Sequence, residues 1–295
     1  MDEALKQLTT TNLDDLMVSF GLQDRPLLGG PLRAIFHAPA EQFARQMLEF
    51  DRGAENGSLP GAARRALPAY VADLRAYGRE NLPASGPLIV LANHPGLSDT
   101  LCLFAAINRP DLRVIAVDRP FLRALRNISA HLFFVSEDSA QRVNALKHAA
   151  VHLKQGGAIL TFPAGQIEPD PALREGAIES LDQWVDSAGL LLRLVPGAVI
   201  VPAAVRGVFW DKAAEHPLTR VRREPEDRER LGAALQLLSH LAFGKREARP
   251  QVQFGRPISL EEVGSNKLEA IHATLLARMR GLLEAAPQGS GEALA

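Results

Sequence analysis

From residue 87 onward the chain alternates between short apolar runs and helix-like stretches, and this alternation restricts the fold more than any other feature. The runs occupy residues 88–91, 114–117, 132–135, 158–162, 199–205 and 252–254. Helical patterns separate most of them, at 99–108, 119–130, 138–155 and 174–188. A closing helix near 260–285 sets Leu268, Ile271, Leu275 and Met279 at periodic spacing. Uninterrupted apolar strands are buried on both faces, and strands that alternate with helices pair in parallel. The pattern therefore predicts an α/β fold, a mostly parallel central sheet flanked by helices. With 46% hydrophobic residues in 295, the chain has enough apolar surface to fill such a core.

The first eighty residues contain no convincing strand and read as helical. Asn12 with Asp15 is a candidate cap for a short helix carrying Leu13, Leu16, Met17 and Phe20, with Gly21 as its stop. Phe43, Met47 and Phe50 recur at helical spacing. Residues 68–77 begin at Pro68 and end before Gly78, the usual proline-first, glycine-last arrangement. Residues 23–31 and 52–61, rich in Gly and Pro, read as loops between these helices. The expected organisation is a helical N-terminal subdomain over 1–80, an α/β domain over 81–286 and a disordered tail over 287–295.

A net charge of −1 supplies no basic field, so nucleic acid is not an expected partner. The start carries acids where a signal peptide needs basic residues, and no run of about 18 apolar residues occurs. The one cysteine, Cys102, allows no internal disulfide and fits a reducing compartment. The expectation is a cytoplasmic protein, either free or peripheral on the inner face of a membrane.

Chemistry concentrates where the first buried run ends, in Leu91-Ala92-Asn93-His94-Pro95-Gly96-Leu97-Ser98-Asp99. Ligands bind at the carboxyl ends of strands in open α/β sheets, because several loops converge there. The Pro-Gly turn lets Asp99 return to the His94 imidazole. A carboxylate on one ring nitrogen fixes the tautomer and favours the imidazolium that forms when the other nitrogen takes a proton. On the residues alone, the competing reading is a structural histidine with Asp99 as a helix N-cap. No Gly-x-Ser-x-Gly nucleophile is present, so such a base would act directly on a substrate hydroxyl or amine. A second strand, Ala158-Ile-Leu-Thr161, also ends in a Pro-Gly turn, at Phe162-Pro163-Ala164-Gly165. His148 and His152 stand at i, i+4 but have no evident third ligand, and no metal site is expected. Cys102 reads as a small buried hydrophobe.

Together these segments resemble the phospholipid/glycerol acyltransferase superfamily. Its first motif, Asn-His-x4-Asp, is met in full by Asn93, His94 and Asp99. Its third, Phe-Pro-Glu-Gly-Thr-Arg-Ser, is met only in part, by Phe162, Pro163 and Gly165. Its fourth, an apolar strand ending in proline, resembles Val199-Ile-Val-Pro202, and its late Val-x-Phe-Gly-x-Pro-Ile resembles the run from Val252 to Ile258. The resemblance implies transfer of an acyl group from a thioester donor, acyl-CoA or acyl carrier protein, to a hydroxyl or amine of a glycerolipid or lysolipid. His94 would be the base, Asp99 its partner, and Asn93, Phe162, Pro163 and Gly165 would border the substrate, Gly165 by allowing close backbone approach. No metal or redox cofactor is implied.

The departures bear on the acceptor. The Glu and Arg of the third motif are replaced by Ala164 and Ile167, and residues 132–138 lack the basic residue that ends the second motif. Arg142 and Arg174 are candidates to supply a phosphate-binding cation; the alternative is that both are solvated helix residues. A subgroup with Phe-Pro-Ala-Gly, the haemolysin-like and ornithine-lipid acyltransferases, also lacks the Glu, which points towards a lysolipid or amino-lipid acceptor. Arg119, Arg123 and Arg126, with Phe121, Leu125 and Ile128 on another face, could form an interfacial helix or simply one packed on the sheet. Phe20, Phe36, Phe43 and Phe50 pose the same choice between a membrane platform and core packing. The rival to an enzyme is a catalytically weak lipid-binding relative that keeps the fold.

Overall fold

The computed structural model describes residues 3–23, 26–55, 58–96, 98–136 and 138–295. Helix α1 (Glu3–Ser19) packs on α2 (Pro26–Gly53), burying Leu13, Leu16 and Met17 against Phe36 and Ala40. Asn12 is therefore not a cap. It lies inside α1, buried, and its amide donates to the Ala40 carbonyl at 3.2 Å, tying the two helices. Parts of both expected loops are helical: α2 takes in residues 26–31 of the first, running through Pro31 and Pro39, and residues 52–53 of the second, and residues 59–61 belong to the next helix; residues 24–25 and 56–57 lie outside the described residues. Helix α3 (Leu59–Ala66) follows, its first turn capped by the Ser58 hydroxyl, which accepts from the Gly61 N–H.

Residues 68–77 are not a helix. A single 3-10 turn at Leu67–Ala69 gives way to an extended chain and strand β1 (Arg75–Tyr77). The reason is tertiary: the Ala72 and Arg75 N–H groups donate to the Ala248 and Pro250 carbonyls, a pairing that no local spacing encodes.

The apolar runs then become strands: β2 (Leu88–Ala92), β3 (Leu112–Val117), β4 (Leu132–Val135), β5 (Ala158–Thr161), β6 (Val199–Arg206) and β7 (Gln251–Phe254). Helix α4 (Asp99–Ile107) links β2 to β3, α5 (Pro120–Ala124) and α6 (Arg126–Ser129) link β3 to β4, and α7 (Ser139–Lys154) links β4 to β5. The expected helix over 174–188 is instead a 3-10 turn at Glu179–Gln183 followed by α8 (Ser187–Leu194). Between β6 and β7 lie α9 (Asp211–Ala214) and α10 (Pro225–Phe243); α11 (Leu260–Val263) and α12 (Leu268–Glu284) follow β7.

The sheet order is β4-β3-β5-β2-β6-β7-β1-β8, where β8 is Glu292–Ala293. The first five strands are parallel, β7 is antiparallel to β6, β1 is parallel to β7, and β8 is antiparallel to β1. The fold is thus a mixed, mostly parallel sheet flanked by helices, as the alternation predicted. The C-terminal residues depart from a frayed tail: Leu294 donates to the Leu74 carbonyl at 2.9 Å and Arg79 pairs with Glu292 at 2.5 Å. Successive residues of β2 face opposite sides, as the pleat requires. Leu88, Val90 and Ala92 join a core with Leu59, Leu67 and Leu103, whereas Ile89 and Leu91 join Leu153, Leu191 and Ile271.

Two buried charges brace the ends of this sheet. At the amino ends of β2 and β5, the Arg109 guanidinium donates to the Pro83, Gly86 and Gly156 carbonyls and forks onto Asp111. At the carboxyl end of β6, the Asp170 carboxylate accepts from the N–H groups of Ala172, Gly207, Val208 and Phe209 at 2.9–3.1 Å.

Candidate active site

β2 and β5 are neighbours, with Leu88 opposite Ala158 and Leu91 opposite Thr161, so the loops that follow them meet. The chain leaves β2 towards β3 and leaves β5 towards β6 on the other side, the kind of strand-order reversal at which α/β sheets bind ligands. His94 and Phe162 come from these two loops, and their rings stack at 4.3 Å between centroids.

His94 Nδ1 lies 2.7 Å from Asp99 Oδ2. The same oxygen accepts the Gly96 N–H at 2.8 Å, and Oδ1 accepts from the Thr100 N–H and, at 3.0 Å, the Thr100 hydroxyl. Asp99 is fully buried while the His94 side chain is 26% exposed, so the carboxylate is shielded and the ring reaches solvent. With Nδ1 taken by Asp99, Nε2 is the ring nitrogen outside that pair. Burial alone would lower the imidazole pKa, but the Asp99 charge, its hydrogen bond and the Glu168 charge outweigh it and hold His94 above its ordinary value. The turn that brings Asp99 back depends on Gly96, whose φ of +87° suits glycine and whose missing Cβ would stand 3.0 Å from Ile167 Cδ1.

The other expected site residues separate in role. The Asn93 amide is engaged by a neighbouring strand. Its Oδ1 accepts the Val205 N–H at 2.7 Å and its Nδ2 donates to the Val205 carbonyl at 2.9 Å, stapling the end of β2 to β6. Gly165 has φ +67°, but a Cβ there would meet no atom within 4 Å, so backbone conformation and not crowding asks for glycine. Pro163 accepts the Val185 N–H at 3.2 Å. Arg174 pairs with Glu229 at 3.4 Å, and Arg142 lies on the exposed first turn of α7. The segment 119–128 is two short helices broken at Leu125. Leu125 and Ile128 enter the core, and Arg123 pairs with Asp118 and lies over Phe134. Cys102 is buried, and His152 Nε2 lies 2.8 Å from the Asp111 carbonyl.

Sequence reasoning missed two acids, Glu168 and Asp170, both buried in the loop after β5. The available signal was their interleaving with prolines, Glu168-Pro169-Asp170-Pro171, at the carboxyl end of a strand.

A family model, Acyltransferase, matches residues 73–206, the stretch from just before β1 to the end of β6 that contains His94, Asp99 and Phe162. The chain thus carries an acyltransferase domain. The acyltransferase is also similar to a solved structure, the 1-acyl-sn-glycerophosphate (LPA) acyltransferase of Thermotoga maritima, at 15% identity and a TM-score of 0.46, with 95% of this chain and 92% of that chain covered. No curated protein matches the acyltransferase sequence. No helix among its described residues is long and apolar enough to cross a membrane.

Proposed function

We propose that this acyltransferase moves a fatty acyl group from acyl-CoA or acyl carrier protein to a hydroxyl or amine of a lysolipid-type acceptor, with His94 as general base oriented by Asp99. The observation that carries the reading is the 2.7 Å contact between a shielded carboxylate and a ring that reaches solvent. His94 Nε2 takes the acceptor proton as the acceptor oxygen or nitrogen attacks the thioester carbonyl carbon. The tetrahedral adduct collapses, the C–S bond breaks, and the departing thiolate recovers the proton from the imidazolium. One proton is relayed and no electron changes hands between redox groups, so the step calls for no cofactor beyond the donor.

The apolar rim beside the base supports a lipid acceptor. Ile167 and Val185, each more than half exposed, flank the loop that carries Phe162 and Pro163. Arg142 and Arg174 remain the candidate cations for a headgroup phosphate, Arg174 by exchanging Glu229 for it. Contact with an anionic membrane is supported by Ile35 of α2 and Phe243 at the end of α10. These are 64% and 76% exposed over a groove of about 540 Å³ bordered by Lys212 and Lys245. The four phenylalanines considered for a platform support core packing instead: Phe20 meets Phe36 at 4.9 Å between tilted rings, Phe43 packs against the core, and Phe50 is buried.

The test is turnover of purified protein with acyl-CoA and with acyl carrier protein thioesters against a panel of lysolipids and amino-lipids, read by mass spectrometry. Product that disappears in His94→Ala supports the reading. Lipid binding without product from any acceptor overturns it in favour of a binding protein.

A further inference from the structure

An acid on an irregular loop ordinarily points to water. Glu168 does the opposite: it is 2% exposed and is wrapped around the backbone of His94. Its Oε2 accepts the His94 N–H at 2.8 Å, and its own N–H donates to the His94 carbonyl at 2.8 Å. Both main-chain polar groups of the base are thus held by one residue from the neighbouring loop. The second carboxylate oxygen is fixed in turn, accepting the Ser180 hydroxyl at 2.8 Å and the Trp184 indole N–H at 2.7 Å.

We propose that Glu168 is a positioning residue for the base: it fixes the His94 backbone from the β5 side while Asp99 fixes the ring from the α4 side, and it places a second negative charge beside the imidazole. The inference rests on the reading of His94 as general base. Three donors on one carboxylate compensate for its burial and allow the charge to persist. Burial raises the Glu168 pKa, and the hydrogen bonds from Trp184, Ser180 and His94 oppose that rise. Among the described residues, the charged groups acting on His94 are Asp99 and Glu168, and both favour its protonated form; Phe162, stacked on the ring, is uncharged. A loop stitch with no part in the chemistry would tie the two loops equally well, but its charge would be irrelevant.

The charge is what the experiment removes. Glu168→Gln keeps the shape, but its single oxygen cannot accept from both His94 and Trp184. It is therefore combined with Trp184→Phe, which removes the stranded donor and leaves the new amide to Ser180. The comparison is with Trp184→Phe alone, following kcat/KM across the histidine titration range and the thermal midpoint of each variant. The expected result is a folded double variant whose plateau kcat/KM is about tenfold lower and whose acidic limb lies at lower pH. Glu168→Asp, which keeps the charge and shortens the reach, is expected to lower kcat about tenfold without moving the limb. A double variant with the limb and plateau of Trp184→Phe overturns the proposal, as does a Glu168→Asp enzyme with unchanged kcat. His94→Ala in the same assay tests the foundation separately: substantial remaining turnover there overturns the general-base reading, whatever Glu168 does.

Discussion

Replacing Asp99 by Asn removes one charge and almost no volume from a site with no room to adjust. The carboxylate is fully buried and takes donors on both oxygens, His94 and Gly96 on one, Thr100 on the other. An Asn that keeps its oxygen towards His94 points its NH2 at the Thr100 N–H. One that flips points its NH2 at His94 and Gly96, which forces the imidazole into the tautomer with no free acceptor at Nε2. With charges about 4 Å apart and an effective dielectric near 20, the lost stabilisation of the imidazolium is about 4 kcal/mol. That corresponds to about a thousandfold in rate.

The pH dependence follows with a definite sign. On the proposed mechanism the base works unprotonated, and the His94 pKa is held above the ordinary imidazole value, so wild-type kcat/KM is expected to fall as pH drops through a point above about 6.5. In Asp99→Asn the lowering effect of burial persists while the carboxylate that outweighed it is gone, so the limb moves to lower pH. The assay is continuous release of free thiol from the acyl thioester, expressed per folded molecule after a thermal-unfolding check. Turnover within threefold of wild type, or an acidic limb that does not move, refutes the reasoning.

The two buried braces of the sheet make a contrasting pair. Asp170→Asn puts an NH2 among four backbone donors at the catalytic end; it is expected to cost about 3 kcal/mol in denaturant unfolding and to reduce turnover about tenfold, because the loop carrying Glu168 loses its anchor. Arg109→Met, at the opposite end, strands three carbonyls and is expected to cost a similar amount, about 3 kcal/mol, with kcat of the folded fraction unchanged.

Legibility followed the range of the interaction. The strand over 132–135 has the same bounds in sequence and structure, because the signal is a continuous run of four apolar residues in its own side chains. Strand β1 was invisible: Arg75-Ala76-Tyr77 buries only Ala76, and Val71 and Leu74, which enter the core from an extended chain, happen to sit three apart. β8 is too short to show a pattern and exists because β1 offers it an edge. The histidine–carboxylate pair could be read because five positions and one Pro-Gly turn contain it. Glu168 could not, since its partner is 74 positions away. The Asn93 contact is hidden for a related reason: nothing local announces that the Val205 backbone engages both ends of its amide.

The position of β5 has a consequence for how the molecule comes to be. It lies between β2 and β3, although both precede it in the chain, and it makes parallel ladders with each. Parallel pairing over such separations is slow, because loop closure must come before the reward. During synthesis, β2 and β3 emerge with no neighbour between them and have to stay apart until the later strand arrives. A nascent chain that zips them together first has to reopen before it can go further. The histidine comes with one ladder and Glu168 with the intercalating one, so the contact between them is assembled only at that late insertion.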